Sequence, residues 1–367
     1  MSQLTCGFIG LGLIGGSIAK AFRQHFPDTV IVAYDVNREA LTLAKDEGIV
    51  DVIAEGIDDN FRICDYLFLC APVQKNDDNL EAVKKVLSPE CVLTDVGSVK
   101  TGIHEAVRQA GLEAHFIGGH PMAGSERVGY ASSKASLLEN AYYILTPSST
   151  VSPPKVEGFR HLVADLGAIP LILDCERHDY VTAAISHLPH VVASSLVNLI
   201  RESDSDEGIM RMIAAGGFKD ITRIASSSPV MWQQICLTNR ENISQLLSHY
   251  IKTLTDFKEA IDQSDADELY QRFDEARIYR DSFANASSGP IKRSFSINVD
   301  IADRAGALDH IVTLLAEQSL NIKNIAITHN RESEDGVLRV EFYREDSMET
   351  GCKLLTEAGY SVHVHRM

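Results

Sequence analysis

The stretch GFIGLGLIGGSIAKAF (residues 7–22) decides the fold of this chain. Its apolar start predicts a short strand, and the glycines that follow, Gly10, Gly12 and Gly15, have the spacing G-x-G-x-x-G ahead of a helical run. Gly10 permits a tight turn, Gly12 lets the backbone approach a pyrophosphate, and Gly15 lets the helix pack close to the sheet. The helix N-terminus offers free N–H groups to phosphate oxygens. A strand, this turn and a helix in succession therefore predict a dinucleotide-binding unit.

The next strand supports this prediction and indicates which dinucleotide binds. Asp35 ends that strand 20 residues after Gly15, a position from which an acidic side chain reaches the ribose hydroxyls of NAD. A carboxylate there repels the 2′-phosphate of NADP, although the nearby side chain of Arg38 is able to bind that phosphate. The alternative, that the glycines serve only a tight turn, does not account for Asp35. The predicted cofactor is NAD, and its predicted contacts are Gly10, Leu11, Gly12, Leu13, Ile14, Gly15, Asp35, Arg38 and, at the end of the third strand, Ala71 and Pro72.

The order of strand-like and helical runs predicts three domains. Strands alternate with helices from the N-terminus to Asp174, which is typical of a doubly wound (Rossmann) parallel sheet and gives a domain over 1–174. Helical periods dominate 175–284, which predicts an all-helical domain. A small, polar stretch near 282–293 reads as a linker. The tail, 294–367, has the order βαββαβ of a ferredoxin-like domain.

Composition restricts the classes of partner. The chain has 367 residues, with 34 basic and 51 acidic side chains and a net charge of −17, which argues against nucleic acid or an anionic membrane as partner. Its seven cysteines contain no CxxC pair, so reduced thiols in a cytoplasmic protein are expected. No export signal is visible. Residues 180–200 carry no Asp, Glu, Lys or Arg, but their histidines, proline and asparagine favour a buried helix over a membrane span.

A histidine follows two glycines in GGHPMAGSE (residues 118–126). His120 is expected at the C-terminal end of a strand, where open α/β sheets bind ligands, with the glycines leaving space for the substrate and Pro121 stiffening the loop. A neutral imidazole there can act as a general base. The alternative is a structural histidine. Ser98 ends another strand, where its hydroxyl can bond the substrate or orient His120, or can cap the following helix.

Two further pairs have helical spacing. His187 and His190, in HLPH, lie at i and i+3, and no third ligand accompanies them, so no metal site is predicted. Core histidines bonded to backbone are the alternative. Asp220 and Arg223 also lie at i and i+3, which lets the carboxylate aim a guanidinium fork at a substrate carboxylate, unless the two form an ordinary surface ion pair. Trp232, the only tryptophan, either walls the pocket or sits in the helical core.

Five stretches together resemble the prephenate dehydrogenase family from residue 4 to about residue 280. They are GFIGLGLIGGSIA (7–19), DVGSVK (95–100), GGHPMAGSE (118–126), SHLPH (186–190) and KDITRIA (219–225). The resemblance implies NAD-dependent oxidative decarboxylation of prephenate to 4-hydroxyphenylpyruvate in a homodimer or higher homo-oligomer. It gives the helical domain, 175–284, the roles of substrate binding and dimerisation. It implies catalytic roles for His120 and Ser98. It also implies a substrate pocket made by His190, Arg223, His187, Asp220, Glu126 and Trp232.

The tail is similar to ACT regulatory domains through DRAGALDHIVTLLAEQSLNI (303–322), with Ala305 where proline is common. The resemblance implies feedback control by L-tyrosine, or alternatively a module used only for dimerisation. The residues expected to contact the effector are Asp303, Arg304, Ala305, Gly306, Ala307, Leu308, Asn321 and Ile322.

Three alternatives to the leading interpretation stay open at this point. An arogenate or dual-specificity cyclohexadienyl dehydrogenase differs by one contact near His190. A β-hydroxyacid dehydrogenase would carry a catalytic lysine early in its second domain, and 175–218 contain no lysine. A non-catalytic sensor of NAD and an amino acid would have no need of His120, Ser98, His190 and Arg223.

Overall fold

The computed structural model describes residues 3–124, 127–286, 295–302, 306–329 and 335–365. By its internal contacts the chain divides into two compact units, Met1–Lys258 and Glu259–Met367. The predicted divisions after residue 174 and between residues 284 and 294 stay predictions.

The first unit begins with a five-stranded parallel sheet of order β3-β2-β1-β4-β5. Phe8 and Phe68 stack on one face, with centroids 4.9 Å apart, and pack with residues of the first helix. Their neighbours Ile9 and Leu67 point to the opposite face, because successive side chains in a strand alternate. The sheet is therefore buried on both faces, as predicted for a doubly wound fold. Its elements are β1 (Thr5–Ile9), α1 (Leu13–His25), β2 (Val30–Tyr34), α2 (Arg38–Asp46), β3 (Val52–Ile53), β4 (Tyr66–Leu69), α3 (Val73–Val86), β5 (Val92–Asp95) and α4 (Thr101–Ala110).

A three-stranded sheet follows, made of β6 (Ile117–Pro121), β7 (Tyr142–Pro147) and β8 (Ile169–Ile172). A parallel bridge between Leu93 and Phe116 continues β5 into this sheet. β7 runs antiparallel to β6, so the prediction of a wholly parallel sheet is wrong for this pair. Residues 122–141 contain only short 3₁₀ turns where described, and a parallel return needs a crossover element. α5 (Pro153–Asp165) provides one, and β8 is parallel to β7.

The rest of the first unit is helical. α6 (Cys175–Thr182) and α7 (Leu188–Ser203) are joined by a π-helical turn, Ala183–His187. Pro189 lies two residues after this turn and cannot donate to the carbonyl four residues earlier, so the irregular turn lies where the proline disturbs the helix. Within the described residues, the run Cys175–Ser203 is long and apolar enough to cross a membrane by length and composition alone. The remaining helices are α8 (Ile209–Ile213), α9 (Gly216–Thr222), α10 (Pro229–Thr238) and α11 (Arg240–Asp262), the last of which extends past the division.

The second unit begins in α11 and continues with α12 (Ala266–Ala286). This helix includes residues 282–286, so the predicted linker begins too early. Beyond it the described elements follow the predicted strand and helix order and form an antiparallel sheet of order β10-β11-β9-β12 with its own apolar core. They are β9 (Phe295–Ala302), α13 (Ala307–Glu317), β10 (Ile322–His329), β11 (Asp335–Phe342), α14 (Glu345–Glu357) and β12 (Val362–His365).

Candidate active site

The glycine-rich turn has the geometry of a phosphate cradle. Gly10 has a φ of +98°, and a Cβ there would lie 2.6 Å from the backbone nitrogen of Ala71. A Cβ on Gly15 would lie 2.7 Å from the carbonyl oxygen of Gly10. A Cβ on Gly12 would meet nothing within 4 Å, so open space lies above the backbone at the start of α1. Two glycines thus allow close packing, and the third leaves room for a ligand at the helix N-terminus.

Asp35 lies beside this turn. Its carboxylate accepts hydrogen bonds from the backbone N–H groups of Leu11 and Asn37, which hold it against the loop. Each carboxylate oxygen keeps a lone pair that can accept from a ligand. Arg38 forms an ion pair with Glu55, so a ligand phosphate would have to compete with a carboxylate for its guanidinium. The surroundings therefore favour a pair of hydroxyl groups over a phosphate beside Asp35.

A cavity of about 430 Å³ opens next to the cradle, between the nucleotide-binding fold and the helical part of the first unit. The sequence-predicted residues that it brings together are Leu13, Ile14, Ser98, His120, His187, His190 and Trp232. A neighbouring cavity of about 320 Å³ shares Ser98 and is lined by Ala71 and Pro72.

His120 stands at the start of a buried hydrogen-bond chain. Its Nδ1 lies 2.8 Å from Nε2 of His178, and Nδ1 of His178 lies 2.7 Å from the carboxylate of Asp179. The carboxylate can only accept, so His178 donates through Nδ1 and, when neutral, accepts through Nε2. His120 must then donate through Nδ1, which leaves its Nε2 unprotonated. Because His120 lines the cavity, this geometry provides a base for a ligand there.

Burial keeps this base neutral. It lowers the pKa of His120 well below the usual range, and His178, Lys100 and His187 lower it further. Burial raises the pKa of Asp179, but hydrogen bonds from His178, Thr101 and the backbone N–H of Lys100 outweigh it, and the net pKa is lowered. The hydrogen-bond chain therefore ends in the Asp179 carboxylate, which stabilises positive charge on the two imidazoles.

Asp179 also occupies the N-terminus of α4, where it accepts from the backbone N–H groups of Lys100 and Thr101. Ser98 does not cap this helix: the helix begins at Thr101, the residue before it is Lys100, and no side-chain cap hydrogen bond is formed there. The predicted capping role of Ser98 is therefore wrong, because a carboxylate from α6 satisfies these donors. Ser98 keeps only its place in the cavity.

A buried ion pair holds the strand that carries His120. Lys100 is fully buried, and its Nζ donates to the carboxylate of Asp95 and, at 2.7 Å, to the carbonyl oxygen of Gly119. The same carboxylate accepts from the backbone N–H of Gly119 at 3.1 Å. A Cβ on Gly119 would lie 2.6 Å from the Asp95 carbonyl oxygen. The expectation that this glycine makes space for the substrate is therefore wrong, since protein atoms fill the space.

The pair in HLPH meets Trp232. The His190 ring stacks on the indole with centroids 3.5 Å apart, and the His187 ring stands edge-on to it at 6.0 Å. Nδ1 of His190 donates to the Ser186 carbonyl at 3.0 Å, because that oxygen can only accept. Burial lowers the pKa of His190, the Ser186 carbonyl raises it, and the charge of Arg223 lowers it. Burial likewise lowers the pKa of His187 to about 4.

The remaining predicted residues are placed as follows. Asp220 is exposed in α9, and Arg223 begins the 3₁₀ turn Arg223–Ser226 and is exposed. In the tail, Gly306 has a φ of +85° and precedes α13, which begins with Ala307 and Leu308, while Asn321 and Ile322 lie at the start of β10. Four predictions, on Glu126, Asp303, Arg304 and Ala305, lie outside the described residues.

Sequence reasoning missed residues that act on those lining the cavity. His178 and Asp179 follow one another but reach His120 only through tertiary structure, 58 residues away. Asp95 and Lys100 flank Ser98 in the stretch DVGSVK, and only their burial reveals their pairing. Across the part of the chain that the structure describes, no group of three His, Cys, Asp or Glu side chains could hold a metal ion.

Comparisons with known proteins point to the same family over most of the chain. Residues 18–170 match the family model "Prephenate dehydrogenase, nucleotide-binding domain", and residues 174–275 match "Prephenate dehydrogenase, dimerization domain". A prephenate dehydrogenase of Bacillus subtilis is 36% identical over 350 residues, which is 94% of each chain.

Two solved structures each cover about three quarters of the chain. The prephenate dehydrogenase of Aquifex aeolicus, in complex with hydroxyphenyl propionate and NAD⁺, has a TM-score of 0.73 and 33% identity and covers 77% of this chain and 99% of its own. The arogenate dehydrogenase of Synechocystis has a TM-score of 0.69 and 28% identity and covers 76% of this chain and 100% of its own.

Proposed function

The chain belongs to the prephenate dehydrogenase family, and from that premise we propose that it catalyses the NAD-dependent oxidative decarboxylation of prephenate to 4-hydroxyphenylpyruvate in L-tyrosine biosynthesis. The observation that carries this proposal is the chain from His120 through His178 to Asp179, which leaves an unprotonated nitrogen of a neutral imidazole at the cavity.

The residues present fit the cofactor. The open space above Gly12 and the N-terminus of α1 would hold the pyrophosphate, and Asp35 would bind the ribose hydroxyls. Leu13 and Ile14 line the large cavity, and Ala71 and Pro72 line its neighbour, so these residues would flank the nicotinamide end. Nicotinamide, when bound, supplies the acceptor for a hydride from C4 of the substrate.

His120 then handles the remaining proton. As the C4 hydroxyl becomes a carbonyl, its proton moves to Nε2 of His120, and the positive charge is shared toward His178 and Asp179. Loss of CO₂ from C1 sends an electron pair into the ring, which becomes aromatic, and the proton returns to the C4 oxygen as the phenol forms. The buried carboxylate of Asp179 stays ionised throughout. Ser98 lines the same cavity, and we assign its hydroxyl to the C4 oxygen.

An arginine near His190 and an indole stacked on its ring suit the two carboxylates of prephenate. Arg223 lies near enough to His190 to influence its titration, and a guanidinium binds a carboxylate in bidentate fashion. Trp232 holds the His190 ring flat against its indole, which fixes the direction in which the imidazole bonds a ligand. We assign Arg223 and His190 to the carboxylates and the side chain of the substrate.

The proposal is tested by NADH formation. Purified protein supplied with NAD⁺ should turn over prephenate, and the product should be 4-hydroxyphenylpyruvate with one CO₂ released for each NADH. NAD⁺ binding without turnover of prephenate or arogenate would refute an enzymatic role. Turnover of arogenate alone would move the substrate assignment. Arogenate is the second candidate, because the structure of an arogenate dehydrogenase matches this chain with a TM-score of 0.69.

Assembly, location and control complete the proposal. We infer a homodimer or larger homo-oligomer, since Leu199, Met212, Ile213 and Ile221 expose large apolar surfaces in the part matched by the dimerization model. The seven free cysteines support a cytoplasmic location.

The tail is proposed to be an ACT domain through which L-tyrosine inhibits turnover. Adding L-tyrosine to the assay tests this inhibition, and unchanged rates would leave the tail a structural module.

The cofactor preference follows from Asp35 and Arg38. Changing Asp35 to serine removes a negative charge that repels the 2′-phosphate, and like-charge contacts cost several kcal/mol. We expect the ratio of kcat/KM for NAD⁺ to that for NADP⁺ to fall by about 10²-fold in Asp35→Ser. Steady-state kinetics with each cofactor measure the ratio. The exposed Asp46→Ser on α2 serves as control, and an unchanged ratio in Asp35→Ser would contradict the assignment.

Substrate binding should depend on pH through His190. Burial lowers its pKa, so free His190 is neutral at pH 7, and a dianionic substrate favours its protonated form. Binding then takes up a proton and weakens as pH rises, so KM for prephenate should increase by up to about tenfold per pH unit. KM measured across the neutral range tests this dependence, which His190→Gln should abolish. The same slope in that variant would assign the proton to another group.

A further inference from the structure

Asn239 follows α10 and does not line the cavity, yet it contacts a histidine that does. It is 4% exposed, and its Nδ2 lies 2.7 Å from the carbonyl oxygen of Asp179 and 3.2 Å from Nδ1 of His187. The carbonyl oxygen can only accept, so the atom facing it must be the amide nitrogen. One N–H of this amide therefore goes to Asp179, and the other points to His187.

This contact determines the protonation of the His187 ring. Because Nδ1 accepts from Asn239, the ring proton of neutral His187 must be on Nε2. The ring is 1% exposed, and burial favours its neutral form. Asn239 is itself held in place, since its Oδ1 accepts from Nδ2 of Asn242 at 2.8 Å. The neighbouring His190 has the opposite arrangement, with Nδ1 donating to backbone.

We propose that Asn239 is a positioning residue that fixes His187 as a neutral hydrogen-bond donor, through Nε2–H, to an oxygen of the substrate side chain. This inference rests on the proposed function for the identity of the substrate. The donor suits a keto or carboxylate oxygen and offers nothing to an ammonium group. Asn239 therefore favours an α-keto acid side chain at His187 over an α-amino acid side chain.

Replacing Asn239 by aspartate reverses the contact. A carboxylate cannot donate, so neutral His187 must turn an Nδ1–H toward it and present an unprotonated Nε2 to the substrate. We expect KM for prephenate to rise about tenfold or more with kcat nearly unchanged, and a smaller change in KM for arogenate. The loss should shrink at acid pH, because protonated His187 carries hydrogen on both nitrogens. The titratable groups that face His187 in the wild type are Asp179, His178 and His190. The variant adds a carboxylate at position 239, which raises the pKa of His187 and moves this recovery to a higher pH.

A matched control separates positioning from general damage. Asn242→Ala removes the bond to Oδ1 of Asn239 but leaves the Asp179 carbonyl to orient the amide. We expect this variant to keep the wild-type KM and pH profile. If Asn239→Asp has the same KM and pH profile as wild type, or if Asn242→Ala reproduces its defect, the proposal is wrong.

A spectroscopic measurement decides the tautomer without any substrate. Two-bond ¹⁵N–¹H spectra of the imidazoles in the full-length wild-type protein, with His187→Gln to assign the signals, should show His187 protonated on Nε2. Protonation on Nδ1 would overturn the inference even if Asn239→Asp fails to fold. Absence of turnover by wild type would refute the proposed function, and the tautomer would still stand or fall on the spectrum.

Discussion

Replacing His120 by asparagine should lower kcat for prephenate by about 10²–10⁴-fold, the usual contribution of a general base. Asparagine can still donate to Nε2 of His178 through its amide, so the buried chain is kept while the base is removed. NAD⁺ binding should change by no more than about twofold, because the cradle around Gly12 is untouched. Single-turnover kinetics with saturating NAD⁺ measure the chemical step directly.

The pH profile gives a second readout on the same residue. Burial lowers the pKa of His120 well below the ordinary value of about 6.5, and the base is active when unprotonated. The wild-type rate should therefore fall only at pH values well below this ordinary pKa. The residual rate of His120→Asn should not fall in the same acid range. His161→Asn, at an exposed histidine of α5, is the control. A kcat within tenfold of wild type in His120→Asn would remove His120 as the base.

The parts of the fold predicted correctly are those whose causes are local in sequence. The spacing of Gly10, Gly12 and Gly15 reflects contacts within one turn, so the sequence alone indicates the strand, the turn and the helix. The unbroken apolar run of β4 likewise indicates that its sheet is buried on both faces. The antiparallel course of β7 could not be anticipated, because it depends on how residues 122–141 return and not on a periodic pattern.

The hydrogen bonds from His120 through His178 to Asp179 show a different limit to prediction from sequence. His120 stands out in the sequence because glycines and a proline surround it, whereas His178 and Asp179 lie in a helix without such neighbours. Their importance comes from full burial and from distances below 3 Å to groups far along the chain. Their place at the end of the polar run 176–179, just before a long apolar stretch, is the one signal that could have directed attention to them.

Replacing Lys100 by methionine should lower the free energy of unfolding by about 3–5 kcal/mol, because it leaves the carboxylate of Asp95 buried without its cation. Backbone N–H groups of Gly97 and Gly119 still bond that carboxylate, so the loss comes from the missing charge and from the freed carbonyl oxygen of Gly119. Urea unfolding followed by circular dichroism measures the change. Lys353→Met, at an exposed ion pair with Glu357, should change the free energy by less than about 0.5 kcal/mol.

A double variant tests whether the uncompensated charge is the cause. Burial lowers the pKa of Lys100 and the Asp95 carboxylate partly offsets this effect, so each member of the pair is tolerated because of the other. Adding Asp95→Asn to Lys100→Met removes the unpaired charge and should recover more than half of the lost stability. If the double variant is less stable than Lys100→Met, then packing around the lysine stem, and not its charge, holds β5 to the strand of His120. Whichever result is found, kcat should decrease together with the free energy of unfolding. Lys100 donates to the carbonyl oxygen of Gly119, the residue that directly precedes the base His120.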